Sequence, residues 1–496
     1  MERWTHSMSG NRLVPPLKLV SSRRPREHLA ACSPRDSDVP ASDRIAIGVA
    51  LRPQLRHASL RVGTTGTVPG TPTPNRRPDG APAYPQAHRD QRACASAGSQ
   101  GSPTDELFNA GESRRGMPAI ALACAFFALS GWAAPETAVE SVAIPNTHQL
   151  IYYHGRWDAS PGTWWAGSGL KLHVQGLSSL ALHLGPHTTT PLASVGVSVD
   201  YQPFYTVNVS AGLNTVPLSH SPLKRSADKT STSVVRINAE GWQNNRINLE
   251  SIILNKGAKL LPYTPSKLAF QFIGDSLSAG VGPGSQGQFL PQGVDQAWPF
   301  LTGEFFKAEH RVNAQPGAAL SDIVSYGNQH GVSFQYFRTE DTGYFDTTDH
   351  NYTTPWDFAR DRPAPTHIVI HIGANDASQN VTADVFVQTY QDFLTRLRGL
   401  YPVQPIFIFT PWGWPNADGS INYYYDGQYE RIVQERHVMG DRKTFLVNTT
   451  GWVSWEDVFP DNQHPNVAGH QKIASLFGAW LTEWGLQPQA QWATSF

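Results

Sequence analysis

The chain has 496 residues, with 39 Lys and Arg against 40 Asp and Glu, and a formal net charge of −1. That length exceeds one ordinary core, and the balanced charge argues against nucleic acid as a partner. Its three cysteines, Cys32, Cys94 and Cys124, lie in the first quarter, which leaves the remainder without a disulfide framework; a chain with a large core does not need one.

Residues 1–116 are rich in Arg, Pro, Ser and Ala with no sustained apolar period, and read as a disordered or gene-model extension. Arg114 and Arg115 precede Met117, an apolar run over 119–129 follows, and Ala133-Ala134 stand before Pro135. A short basic start, an apolar core too short for a bilayer and a small-residue end predict a secretory signal peptide over 117–134. On this reading translation starts at Met117 and the mature, extracellular chain starts near Pro135. The alternative is a single-pass anchor with a cytosolic tail. The sequons at Asn208, Asn351, Asn380 and Asn448 all follow the expected cut, which suits a glycosylated secreted surface.

From 135 to 262 the expected fold is an antiparallel β-sandwich, a jelly roll. Strands are expected at 149–153, 169–174, 179–184, 195–199, 204–209, 214–218, 233–238 and 246–254, with turn residues between them. From 263 to 496 strands alternate with helices. Strands are expected at 268–273, 310–313, 366–372, 404–409 and 444–447, and helices at 298–307, 383–400 and 468–483. The alternation predicts a three-layer α/β/α domain on a parallel sheet, with the site at the carboxyl ends of its strands. A long excursion at 322–365 is rich in aromatic residues, among them Tyr326, Phe334, Tyr336, Phe337, Tyr344, Phe345, Tyr352 and Trp356, and is expected to shape a substrate cleft.

Chemistry-bearing residues fall just after these strands. FIGDSLSAG at 272–280 reads as a strand, a tight turn and a serine opening a helix. Ser276 is the candidate nucleophile and needs a base within hydrogen-bond reach. His464, in the stretch DNQHPN at 461–466, is the candidate base. Asp461, three residues earlier, is the candidate that orients the imidazole. The Ser276 N–H, the Gly317 N–H and the Asn375 side chain are the candidate oxyanion donors. Trp412 and Trp414 in PWGWP, with Tyr424 in the tyrosine run 423–425, are candidate sugar-stacking residues. No metal or cofactor is expected. His367 and His371 lie on a predicted strand, His464 and His470 lack a third ligand, and neither a dinucleotide fingerprint nor a phosphate loop occurs.

GDS at 274–276, Gly317, GAND at 373–376 and DNQH at 461–464 match in order the four blocks of the SGNH or GDSL hydrolase superfamily, which this chain resembles. That resemblance implies Ser276 as nucleophile, His464 as base oriented by Asp461, and Ser276, Gly317 and Asn375 as the oxyanion hole. A small jelly roll leading into such a domain resembles carbohydrate esterase family 2, as does, loosely, the fragment Tyr153–Asp158 followed by Trp164-Trp165. Some members of that family orient the histidine by a backbone carbonyl. The implied function is a secreted, monomeric serine esterase that removes O-acetyl groups from plant cell-wall polysaccharide such as xylan or mannan, without stable membrane association. The alternatives are a lipase-like or other acyl-ester hydrolase and a non-catalytic carbohydrate-binding protein.

Overall fold

The computed structural model describes residues 141–218, 230–241, 245–282, 287–339 and 354–496. The expected N-terminal extension, the signal peptide and the Asn351 sequon lie outside them.

Eleven short strands come first: β1 (Ser141–Pro145), β2 (Tyr152–His154), β3 (Gly162–Thr163), β4 (Gly169–Gln175), β5 (Leu180–Leu184), β6 (Ala193–Val199), β7 (Tyr205–Val209), β8 (Gly212–Val216), β9 (Thr232–Ala239), β10 (Ile247–Asn255) and β11 (Lys259–Leu261). They form two antiparallel sheets. One runs β1-β10-β5-β8 with β3 beside β10, and the other runs β11-β4-β9-β6-β7 with β2 beside β4. Strands β1, β3 and β11 were not expected; β1 and β11 lie at the ends of their sheets, and β3 is a two-residue strand beside β10. Leu170, Leu172 and Val174 of β4 share one apolar core with Leu180, Leu182 and Leu184 of β5. Their period of two places one face of each sheet in that core.

The chain then alternates: β12 (Ala269–Gly274), α1 (Ser276–Ala279), α2 (Trp298–Phe306), β13 (Glu309–Ala314), α3 (Val332–Gln335), β14 (His367–His371), α4 (Ala374–Ser378), α5 (Ala383–Leu400), β15 (Ile406–Phe409), β16 (Trp414–Pro415), β17 (Ile421–Asn422), α6 (Gln428–Val438), β18 (Thr444–Val447) and α7 (Val467–Trp484). The parallel order is β13-β12-β14-β15-β18. Every residue of β12, β13, β14 and β15 is buried. The inner strands β14 and β15 are accordingly rich in apolar residues, whereas the edge strand β13 buries Glu309 and Arg311 in ion pairs with Lys171 and Asp361. Helix α5 starts where Thr382 caps it and buries Phe386, Tyr390, Phe393, Leu394 and Leu397 on one stripe. Helix α7 is capped by Asn466, whose side chain accepts the Gly469 N–H, and stops at Gly485 in the left-handed region.

Of the excursion, residues 322–339 and 354–365 are described, and several of their aromatics pack into the interior. Tyr336 and Trp356 are buried, and Phe337 and Phe358 pack against the same core. Arg156, from the start of the β-region, donates to Arg338 O at 3.0 Å, and its guanidinium lies over Tyr336 at 4.8 Å and Trp356 at 5.5 Å. Trp165 Nε1–H donates to Thr339 O at 3.0 Å. Arg156 of the Tyr153–Asp158 fragment and Trp165 therefore tie down the described ends of the excursion. The described residues all fall in one compact unit.

Candidate active site

Ser276 sits at the carboxyl end of β12, where the strand stops and α1 begins. Asp275 caps that helix by accepting the Leu277 N–H at 3.0 Å. This sharp change of direction keeps Ser276, 7% exposed, at the sheet edge. His464 reaches it from the loop before α7. His464 Nε2 lies 2.8 Å from Ser276 Oγ, and Nδ1 lies 2.9 Å from Asn462 O. A carbonyl oxygen only accepts, so Nδ1 carries the proton and Nε2 presents its lone pair to the serine hydroxyl. Burial holds the His464 pKa below the ordinary imidazole value, while the Asn462 carbonyl and the Asp461 charge oppose that shift. The ring is therefore neutral at pH 7 and able to take a proton.

Asp461 does not occupy the orienting position assigned to it from the sequence. Its carboxylate accepts the Gln288 N–H at 2.8 Å, and the neighbouring Asn462 Nδ2 donates to Gln288 O at 3.1 Å. The turn at 459–464 is closed by Phe459 N–H to His464 O at 2.8 Å. That closure brings a backbone carbonyl to the imidazole and turns the Asp461 side chain outward, so its influence on the ring is only through space.

Gly317 follows β13 with φ +75°, a region glycine enters without strain. Neither the Ser276 N–H nor the Gly317 N–H donates a hydrogen bond among the described residues. Asn375, in the first turn of α4, directs Nδ2 to Ala318 O at 3.0 Å and to Asp275 Oδ2 at 3.3 Å. Burial, with the Asp376 charge nearby, raises the Asp275 pKa to about 7.

The candidate sugar platforms divide. Trp414 is half-buried, with its ring 5.9 Å from the His464 ring. Trp412 is 1% exposed and stacks on the buried His371 at 3.8 Å; it is a core residue and offers no surface to a ligand. Tyr424, 9% exposed, packs beneath Trp414 with ring centroids 6.5 Å apart. Tyr326 escaped the sequence reading as a site residue. It is 53% exposed and has φ +44°. Its Cβ lies 2.8 Å from where a side chain on Gly317 would begin. The cue was an aromatic in the tight turn Ser325-Tyr326-Gly327-Asn328. Among the described residues no cluster of three His, Cys, Asp or Glu is arranged to hold a metal.

Residues 272–472 match the GDSL-like Lipase/Acylhydrolase family. No curated protein matches the chain. Among solved structures, a family two carbohydrate esterase from Clostridium thermocellum in complex with cellohexaose is 21% identical with a TM-score of 0.53, over 68% of this chain and 100% of that one. A family two carbohydrate esterase from Cellvibrio japonicus is 18% identical with a TM-score of 0.54, over 69% and 98%. An acetyl xylan esterase from the rumen bacterium Butyrivibrio proteoclasticus is 18% identical with a TM-score of 0.55, over 70% and 98%. At these identities the likeness is one of fold. The chain has a GDSL/SGNH-type esterase fold that resembles the family two carbohydrate esterases.

Proposed function

We propose that the protein is a secreted serine esterase that removes O-acetyl groups from plant cell-wall polysaccharide such as xylan or mannan. The observation that carries the reading is the relay from Ser276 Oγ through His464 to Asn462 O, at 2.8 and 2.9 Å. Ser276 Oγ attacks the acetyl carbonyl carbon as its proton passes to His464 Nε2. The resulting oxyanion meets the N–H groups of Ser276 and Gly317 and the Asn375 Nδ2–H that otherwise lies on the longer contact to Asp275. The tetrahedral adduct collapses, the C–O bond to the sugar breaks, and His464 returns the proton to the departing sugar oxygen. Water, deprotonated by the same nitrogen, then releases acetate and restores Ser276.

The two antiparallel sheets fit the jelly roll expected over 135–262, and the α/β region fits the expected three-layer domain over 263–496. Trp414 and Tyr326 flank the site with part-exposed rings, a geometry suited to sugar faces. Secretion is supported by the sequence over 117–134 and by the exposed Asn208, Asn380 and Asn448 of three sequons. Among the described residues no helix is long and apolar enough to cross a membrane.

The test is acetate release by protein expressed from Met117. Acetylated xylan and glucomannan are compared with long-chain p-nitrophenyl esters, for wild type and Ser276→Ala. Release from the glycans, lost in a folded Ser276→Ala protein, is expected. Preference for long-chain esters selects the lipase-like reading, and glycan binding without hydrolysis selects the binding protein.

A further inference from the structure

The segment carrying Gly317 is tied on both sides of that glycine. Before it, the Gln315 N–H donates to Gly274 O at 3.1 Å and Asn328 Nδ2 donates to Pro316 O at 2.9 Å. After it, the Leu320 N–H donates to Asp376 Oδ2 at 2.6 Å and the Ser321 N–H to Asp376 Oδ1 at 2.9 Å. One fully buried carboxylate thus uses each oxygen on a different backbone donor of the same segment. Asp376 is the last residue of the GAND stretch, and the chemistry above leaves it without a task.

We propose that Asp376 is a positioning residue for the oxyanion hole. By holding the Leu320 and Ser321 N–H groups it sets the direction of the Gly317 N–H. This rests on the esterase reading. An oxyanion donor contributes in proportion to how well it is aimed before the reaction. A glycine at φ +75° is the least able to hold its own direction, because its backbone has the widest freedom. Its orientation must come from the segment that carries it, and Asp376 fixes that segment at two residues three and four positions on. Asn375 and Asp376 are adjacent on the first turn of α4, so a single helical turn presents one donor itself and aims another. The arrangement also explains the acid. An amide in its place has one acceptor oxygen, and its NH2 would face a backbone N–H donor to donor.

The test compares Asp376→Asn and Asp376→Glu with wild type on p-nitrophenyl acetate. Rates are expressed per active site titrated with a fluorophosphonate, so that unfolded protein does not count. For Asp376→Asn, kcat per site is expected to fall roughly 10- to 100-fold, below the 10²–10³ for loss of a whole donor, with KM within about twofold because ground-state binding is untouched. Affinity for methylboronic acid, which forms a tetrahedral adduct on the serine, should weaken in parallel. Asp376→Glu keeps both acceptor oxygens one methylene further out, and should also lower kcat at constant KM. Wild-type kcat per site in either folded variant overturns the proposal, as does a loss carried by KM alone. Failure of the esterase reading is a separate result: full hydrolysis by Ser276→Ala.

Discussion

His464 shows how two neighbouring residues set a base. Burial lowers its pKa, and the Asp461 carboxylate raises it without touching the ring. Neutralising Asp461 therefore lowers that pKa further. In Asp461→Asn the acidic limb of the kcat/KM profile should move to lower pH, with maximal kcat reduced by less than about tenfold, because the Asn462 carbonyl still fixes the tautomer. The asparagine oxygen can still accept the Gln288 N–H. A pH–rate profile of both proteins checks this. A loss near the 10⁴-fold known for a buried relay aspartate in a serine protease would return Asp461 to the orienting role. The sequence suggested Asp461 because an acid three residues before a histidine is a familiar relay pattern. It cannot show which way a side chain leaves a turn.

The β15–β16 connection places two tryptophans, two residues apart, in opposite environments. In a regular strand positions i and i+2 share a face, so Trp412 and Trp414 read alike. Gly413 takes φ +78°, breaks that alternation, and sends Trp412 under the sheet edge onto His371 while Trp414 stays near His464. Trp412→Ala should cost about 3–5 kcal/mol of stability and show a clearly lower Tm by calorimetry. Trp414→Ala should leave Tm nearly unchanged and raise KM for acetylated xylan more than for p-nitrophenyl acetate, since only the polymer reaches a ring beyond the ester. Equal kinetic losses with a lower Tm for Trp414→Ala would mark it as packing. The strands were legible because their burial is written in local runs such as His367–His371 and Ile406–Phe409. The burial of Tyr336 and Trp356 was not, because aromatics in loops look the same whether they line a cleft or fill a core.

At the scale of the molecule, the β-region meets the α/β region through buried charge. Lys171 pairs with Glu309 at 2.5 Å, Arg236 with Glu304 at 2.5 Å, and Asn238 Nδ2 donates to Asp295 Oδ1 at 2.7 Å. Glu240 and Asp295, the acceptor of the Asn238 bond, are two buried acids outside these ion pairs. Burial raises the Glu240 pKa to about 7, and burial together with the Glu240 charge raises that of Asp295 well above the ordinary range. At these two acids the folded state holds protons that the unfolded chain releases. This contribution to stability is fully present below the unfolded carboxylate pKa of about 4 and is lost as pH rises through about 7. Glu240→Gln stays neutral and can still accept the Thr206 hydroxyl, which donates to Glu240 Oε1 at 2.8 Å in the wild type. The buried histidines, held below the ordinary imidazole pKa, add an opposite trend, so the comparison is between proteins. The Tm at pH 8 relative to that at pH 5 should be higher in the variant than in the wild type. Asp275, also raised to about 7, leaves part of the slope in place. An unchanged slope would mean that the pair does not take up its proton on folding.

The sequence by itself determined the five strands of the parallel sheet, the helices α2, α5 and α7, though not α6 or the β16–β17 pair, and the turn that ends β12 in Asp275 and Ser276. It also determined the loop that brings His464 to the start of α7. These are encoded within some ten residues, by apolar periods, caps and turn-formers. Only the tertiary structure decided that Asn462 O takes the proton of the His464 ring, that Asp461 turns to Gln288, and that Trp412 is buried. It also decided that Asp376 grips the segment of Gly317. Those outcomes depend on which groups meet across the fold, over separations of 173 residues for Asp461 and Gln288 and 56 for Asp376 and Leu320. At such distances the local pattern leaves several partners equally acceptable. The choice among them follows from how the whole chain fills its interior while pairing every buried donor and acceptor it can.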